Sequence, residues 1–175
     1  MIGIAIGKGM IKSVDKRIKG FFPKYEFQGG KAYWTIEHFL TMTTGLEWNE
    51  KLPYNHPAND EIRMTFCEDP AGFVLNRSLS AYPGEKFNYN RGATQVLAEI
   101  IERTSHISLD RFAKEYLFNP MGILKFEWNK YSTWGGSHKF AAPSGLRLTS
   151  RDLMKIGLLY YHGGIWNDKR ILDPV

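Results

Sequence analysis

Apolar residues recur every three or four positions along three stretches of this chain, whereas strict alternation never lasts beyond a few residues. The clearest stretch runs from about Gly92 to Thr104. There Ala93, Val96, Leu97, Ile100 and Ile101 mark one helical face, with Gln95, Glu99 and Glu102 on the other. A second begins after Ser108, where Leu109, Phe112, Ala113, Tyr116 and Leu117 form a stripe that Asn119-Pro120 ends. A third follows Thr149-Ser150, with Leu153, Ile156, Leu159 and Tyr160 predicted to face inward and Gly163-Gly164 as the stop signal. These stripes are expected to be core rather than cofactor contacts.

Shorter signals fill the remainder. Thr35 is a good N-cap for a helix whose face is marked by Ile36, Phe39 and Leu40 and which ends at Thr44-Gly45. Glu61 to Leu75 predicts another helix, interrupted at Asp69-Pro70. Residues 10–34, anchored by Ile18, Phe21 and Phe22, and residues 46–60 read as irregular. Strand signals are limited to Gly145–Thr149, and to Ile165-Trp166 and Arg170–Leu172 flanking a tight turn at Asn167-Asp168. The first nine residues are apolar on all sides, lack an N-cap and stop at Lys8-Gly9, as the last turns of a buried helix would. The pattern predicts a mostly α chain with long loops and little strand.

Composition narrows the class without choosing a function. A chain of 175 residues with 43% hydrophobic and 14% aromatic residues can build one packed core. The net charge of +5 comes from scattered residues such as Lys8, Lys12, Lys16, Arg17, Lys19 and Lys24 rather than a basic stripe, so no nucleic-acid partner is expected. Cys67 is the single cysteine, which excludes an intrachain disulfide. The five histidines form no closely spaced ligand pair, so neither a metal nor another cofactor is indicated. No apolar run is long enough for a transmembrane segment, and no charged segment precedes the short apolar start.

One segment carries candidate chemistry. Pro83-Gly84-Glu85-Lys86-Phe87-Asn88-Tyr89-Asn90-Arg91-Gly92 is a turn that delivers a tyrosine to the start of a predicted helix. Positive potential at a helix N-terminus favours a phenolate, and a phenol titrating near pH 10 needs such help to act as a general base at neutral pH. By itself a tyrosine at a helix entrance is more often a packed residue with its hydroxyl bonded to backbone.

The order of segments adds to this. Thr35-Ile-Glu-His-Phe-Leu-Thr-Met-Thr-Thr-Gly-Leu46, the Tyr89 segment, Phe112-Ala-Lys-Glu-Tyr-Leu-Phe-Asn-Pro-Met-Gly-Ile123, Ser144–Gly157 and Gly163–Leu172 follow one another along the chain. Together the series resembles the serine β-lactamase-like family: class C β-lactamases, penicillin-binding-protein-like DD-peptidases, carboxylesterases and aminohexanoate-oligomer hydrolases. The resemblance implies an acyl-enzyme mechanism with three motifs. A serine in S-x-x-K attacks a carbonyl, a tyrosine in Tyr-x-Asn or Tyr-x-Ser shuttles a proton, and a K-T-G or H-x-G motif lines the acyl pocket from an edge strand. Tyr89 matches the tyrosine and is the catalytic residue the resemblance implies, with Asn90 and Arg91 lining the site. Arg91 departs from the pattern, because a long cation stands where Asn or Ser is expected and would alter substrate polarity or block the site.

The other two motifs are not assigned. Ser13-Val14-Asp15-Lys16 has the letters of S-x-x-K. It is not read as the nucleophile, because in the family a helix like Ile2–Ile6 continues directly from the nucleophilic serine, which places that serine upstream of Met1. The third motif is expected beyond Asp173-Pro174-Val175. The resemblance therefore implies a partial domain over 1–175, with 1–9 the end of the buried helix after the nucleophile and 10–175 the helical domain and loops. It is the helical-domain portion of a β-lactamase/transpeptidase-like α/β fold, with most of the sheet missing. Its apolar flanks are expected to promote self-association or dependence on a partner. The intact relative would act on a small-molecule or peptide amide or ester, with no cofactor. The contrasting expectation is a non-catalytic binding or interaction module that reuses the helical domain, motivated by Arg91 and by Trp34, Trp48, Tyr82, Trp128 and Trp134.

Overall fold

Helix α5, Arg91–Ser105, is the element around which the rest is arranged, and it is the one with the strongest apolar stripe. In the computed structural model, which describes residues 1–173, Ala93, Val96, Ile100 and Ile101 on α5 are all buried. Four short helices precede it: α1 (Ile2–Gly7), α2 (Ile36–Leu40), α3 (Asp60–Thr65) and α4 (Pro70–Leu75). Helix α6 (Leu109–Ala113) follows and continues into a π-helical turn over Lys114–Phe118. Helix α7 (Ser150–Tyr161) comes last. Strands are confined to two antiparallel pairs among the described residues: β1 (Glu127–Trp128) with β2 (Leu146–Arg147), and β3 (Ile165–Trp166) with β4 (Lys169–Arg170).

The local reasons are readable from the caps. Thr35 and His38 form a reciprocal capping box at α2, His38 Nδ1 accepting from the Thr35 amide at 3.1 Å. Asn59 caps α3, and its Oδ1 accepts from Ile62 N at 3.2 Å. The expected break at Asp69-Pro70 is the start of α4: Asp69 is its N-cap and Pro70 takes the first helical position, where no donor is lost. Asn167 and Asp168 both have positive φ (46° and 61°), the type I′ turn that a two-residue hairpin between β3 and β4 requires.

The core lies between α5 and the loops that surround it. Trp34 is fully buried, donates from Nε1 to the Thr44 carbonyl at 2.8 Å, and packs edge-on against Phe39 at 5.3 Å between ring centres. Ile18 and Phe22, the expected loop anchors, are also fully buried. Gly92 lets α5 approach α4 closely. A Cβ there would stand 2.6 Å from Val74 Cγ2 and 2.8 Å from the Trp48 ring. Ala113, Phe118, Met121, Ile123 and Leu159 form a smaller cluster that seats α7.

Three expectations are corrected. Gln95 and Glu99 are buried rather than on an outer face, because each has partners in the 128–145 loop. Gln95 Oε1 accepts from the Tyr131 hydroxyl at 3.0 Å and Ala142 N at 3.1 Å, while Glu99 pairs with Lys139 at 3.0 Å. Helix α2 ends at Leu40, which is exposed. On α7, Leu159 is buried but Leu153 and Tyr160 face solvent, so its core stripe is narrower than its apolar pattern.

Asp69 joins capping to pH. Its Oδ1 accepts from Gly72 N at 3.0 Å, the Tyr25 hydroxyl donates to Oδ2, and Lys24 lies 3.4 Å away. Burial pushes its carboxyl up, but the bonds from Tyr25 and Gly72 and the Lys24 charge prevail and hold it below 3.8. A lowered carboxyl stabilises the fold above its unfolded value and loses that contribution as pH falls through the folded one. Asp69→Ala is expected to lower stability by about 1 kcal/mol at neutral pH, mostly as a lost cap, since an exposed lysine pair adds little. The deficit in urea unfolding should shrink below pH 3.8; a deficit unchanged in acid would contradict this account.

Candidate active site

The segment before α5 is fixed on both sides of Tyr89. Gly84, with φ of +92°, turns the chain over His38, and its amide donates to the Thr43 carbonyl at 2.8 Å. Asn88 then anchors the strand-like approach. Its amide donates to Met42 O at 2.9 Å, and its Nδ2 donates to Leu46 O at 3.3 Å and Trp48 O at 3.1 Å. Asn90 is fully buried as the N-cap of α5, its Oδ1 accepting from Ala93 N at 3.0 Å. Its Nδ2 is buried with no hydrogen-bond partner among the described residues. Between two anchored asparagines, Tyr89 points outward and is 48% exposed.

Arg91 leaves the same turn sideways. Its backbone amide donates to Glu50 Oε2 at 2.9 Å, and its guanidinium donates to the Tyr54 hydroxyl at 2.8 Å and to Glu61 Oε2. Glu50 Oε1 lies 3.7 Å from its Nε, and the guanidinium stands 6.0 Å from the centre of the Tyr89 ring. The Tyr54 hydroxyl, ahead of Glu61 and Tyr89, holds the guanidinium above its ordinary value despite partial burial. Burial pushes the Glu61 carboxyl up, and Arg91 pulls it back. The cation expected to project into the site is thus turned onto two nearly buried carboxylates and a phenol.

Glu50 has a second task. Its Oε2 also accepts from Trp48 Nε1 at 2.7 Å, so one carboxylate satisfies the first α5 amide and a buried indole. Asp60 secures the same loop from below, accepting from Asn49 N at 2.8 Å and pairing with Arg63 at 3.2 Å and Arg77 at 3.4 Å. Sequence reasoning missed Glu50, Tyr54 and Glu61. They lie 41, 37 and 30 positions from Arg91 in a stretch without periodicity. The available signal was four acids, Glu47, Glu50, Asp60 and Glu61, within fifteen residues.

The other literal motif matches are placed elsewhere. Ser13 to Lys16 is a turn in the loop after α1, closed by Lys16 N donating to Ser13 O at 3.3 Å. No hydrogen bond joins the two side chains among the described residues, and the pair is not on a helix. His162-Gly163-Gly164 spells H-x-G but caps α7, with Gly163 and Gly164 at φ of +59° and +85°. Pro174 and Val175, where the sequence runs out before the expected third motif, lie outside the described residues. An apolar cavity of about 500 Å³ opens among Met1, Ile2, Ile6, Leu40, Tyr160 and Leu172, and Tyr89, Asn90 and Arg91 do not line it. Of the aromatic rings expected near a cleft, Trp34 and Trp48 are core, while Tyr82 and Trp134 are exposed.

Comparison with known proteins gives this geometry a context. The beta-lactamase family profile matches residues 12–172. Penicillin-binding protein 4* of Bacillus subtilis (strain 168) is 30% identical over 118 residues, covering 66% of this chain and 25% of that protein. A provisionally named 6-aminohexanoate-dimer hydrolase from Bacillus anthracis superposes with a TM-score of 0.80 at 22% identity, over 99% of this chain and 47% of its own. The octameric penicillin-binding protein homologue from Pyrococcus abyssi gives 0.74 at 19% identity, over 99% and 43%. The chain therefore spans about a quarter of the curated relative and under half of these two solved ones, and the two structures share its fold.

Arg91→Met would leave Glu50 and Glu61 facing each other without their cation. We expect a loss of about 2 to 3 kcal/mol in urea unfolding at pH 7, at or below the bottom of the range of about 3 to 5 kcal/mol for breaking a fully buried pair, because Arg91 is partly exposed. A raised carboxyl contributes stability below its unfolded value of 4.5 and loses it as pH rises through the folded one. Without Arg91 the Glu61 carboxyl rises further, so the variant's deficit should be smaller at pH 4 than at pH 7. Equal deficits at both would show that the pairing is not what matters.

Proposed function

The chain belongs to the beta-lactamase family, and from that premise we propose that it is the helical, tyrosine-bearing part of a serine hydrolase acting on amide or ester bonds through an acyl-enzyme. The observation that supports this best is Tyr89: exposed, next to the N-cap of a fifteen-residue helix, and held on both sides by anchored asparagines. In such a reaction a serine oxygen bonds to the carbonyl carbon as the bond to the leaving nitrogen or oxygen breaks. Tyr89 takes the serine proton and passes it to that leaving atom. The buried contacts of Asn88, Asn90 and Arg91 limit how far the Tyr89 backbone can move, which is what a shuttle between two fixed atoms needs.

Arg91 acts in this reading through position. Its bonds to Glu50, Glu61 and Tyr54 fasten the 49–61 loop to the start of α5, and the cation lies beside the Tyr89 ring rather than in front of it. Because its charge is already paired, it offers little to a substrate carboxylate. The same fact gives less support to a stand-alone binding module, as does the burial of Trp34 and Trp48. Among the described residues no serine and lysine stand one turn apart on a helix, and on its own the chain is not expected to turn over substrate.

Two measurements test this. The chain itself should give no turnover of a chromogenic cephalosporin or a nitrophenyl ester above that of Tyr89→Phe; turnover abolished by that substitution would show that it is an enzyme unaided. The matched stretch placed within penicillin-binding protein 4* should yield an ester-hydrolysing chimera. There Tyr89→Phe should lower kcat by about 10²- to 10³-fold, the usual share of a proton-transfer group. An unchanged kcat would remove Tyr89 from the mechanism.

A further inference from the structure

Five consecutive carbonyls just after α2 are all occupied, and four of them hold the segment that leads to Tyr89. Met42 O accepts from Asn88 N at 2.9 Å, Thr43 O from Gly84 N at 2.8 Å, and Gly45 O from Ser80 N at 2.8 Å. Leu46 O accepts from Asn88 Nδ2 at 3.3 Å, while Thr44 O takes the Trp34 indole at 2.8 Å. The backbone reaches this arrangement through two left-handed residues, Met42 (φ 56°) and Gly45 (φ 73°). Gly45 has no alternative, since a Cβ there would stand 2.2 Å from the Ala81 carbonyl oxygen. Met42 holds a conformation unfavourable for a residue with a side chain, so its surroundings must keep the turn in place.

His38 is that support. Its carbonyl accepts from Thr43 N at 2.9 Å, the bond that closes the end of α2 around Met42. Its Nδ1 lies 3.1 Å from both the amide and the hydroxyl of Thr35, at the start of the same helix. The other edge of the ring lies under the turn before Tyr89: a Cβ on Gly84 would stand 3.5 Å from Nε2. One residue thus joins the start of α2, the turn at its end and the Tyr89 segment. A backbone amide can only donate, so Nδ1 is unprotonated and the ring proton sits on Nε2. A second proton would set an N–H against the Thr35 N–H, and the ring could not keep both contacts.

The charged groups about the ring are Glu37 on α2, Asp15, Lys16 and Arg17 on the loop bonded to its start, and Glu85 and Lys86 in the turn above. Helix α5 also packs against α2, but on the side of the buried Ile36 and Phe39, about 160° and 100° around the helix from His38. Burial holds the ring below 6.5, with Glu37 pushing it up and Arg17 down. A histidine lowered in this way contributes stability above its unfolded value and loses it as pH falls through the folded one.

Resting on the acyl-transfer reading for what Tyr89 does, we propose that His38 is a positioning residue for Tyr89, holding the 80–88 segment only while its ring is neutral. A neutral ring keeps α2 capped and the 42–46 carbonyls aimed at that segment. On protonation the capping box opens, and the strained turn at Met42 relaxes away from Gly84 and Asn88. Tyr89 then loses the fixed backbone on which a proton shuttle depends.

The whole chain tests this by nuclear magnetic resonance from about pH 8 to about pH 4.5, a window around the ordinary histidine value. The Gly84 and Asn88 amide signals should shift with the same midpoint as the His38 ring, below 6.5. His38→Gln is the conservative variant, because glutamine at this position of a capping box still accepts from the Thr35 amide and does not titrate. It should stay folded and lack the shared midpoint. In the chimera with penicillin-binding protein 4*, kcat for ester hydrolysis should fall at least about tenfold across that midpoint with KM little changed, since a displacement of about 1 Å costs up to about 10²-fold. His38→Gln should remove that step from the pH profile. Gly84 and Asn88 signals that stay still while His38 titrates overturn the proposal, as does a step in kcat at that midpoint that persists in His38→Gln. A chimera indifferent to Tyr89→Phe would instead refute the acyl-transfer reading, and the shifts in the chain alone would still decide whether His38 holds the segment.

Discussion

Buried polar groups on α5 are the constraint on which the arrangement depends. A helix packed on several sides by loops must give those loops partners for their own amides and carbonyls, because an unpaired group away from water costs about 1 to 3 kcal/mol. The polar residues at the start of α5 hold the 49–61 loop, and those further along it hold the 128–145 loop. Asn90 closes the helix start, the Arg91 amide and guanidinium take the 49–61 loop, and Gln95 takes Tyr131 and Ala142. Glu99 and Glu102 share Lys139. The apolar stripe supplies the burial, and these residues decide which loop lies where.

The neighbourhood of Tyr89 follows from that division. Glu50 answers the first amide of α5 and a tryptophan at once, and Arg91 in turn balances Glu50 and Glu61. Removing any member leaves charge in a poorly hydrated place, so their energies do not add independently. Tyr89 is the member of the segment left facing out, with its backbone set by residues that cannot move without exposing their own partners. A rigid base beneath an exposed phenol suits proton transfer better than adaptable binding.

The region around α1 is built differently. Around α1, the β3–β4 hairpin and α7, the contacts are apolar and the surface opens into a cavity. The N-terminal amine at Met1 is itself buried and held below its usual value by that burial. Directional polar pairing around the start of α5 thus stands beside non-directional apolar packing around α1.

Much of the fold was legible in the order of residues, because helices and tight turns are set by neighbours three or four positions apart. The α5 stripe, the caps at Thr35 and Thr149, the break at Asp69-Pro70 and the Asn167-Asp168 turn are all local. So was Tyr89 as the candidate group, since a turn feeding a tyrosine into a helix is written in ten consecutive residues. The pairing of Arg91 with Glu50, Tyr54 and Glu61 was not, nor was the burial of Gln95 and Glu99. Those depend on loops dozens of positions away whose path no periodicity encodes. Pattern alone also placed Leu153 and Tyr160 of α7 inward, because an apolar stripe states that a face avoids water and not which surface covers it. The sequence by itself determined the helices, the turns and the identity of the candidate tyrosine. Only the tertiary structure decided where the charge of Arg91 is spent and which apolar face stays open, because both depend on which distant segment arrives beside them.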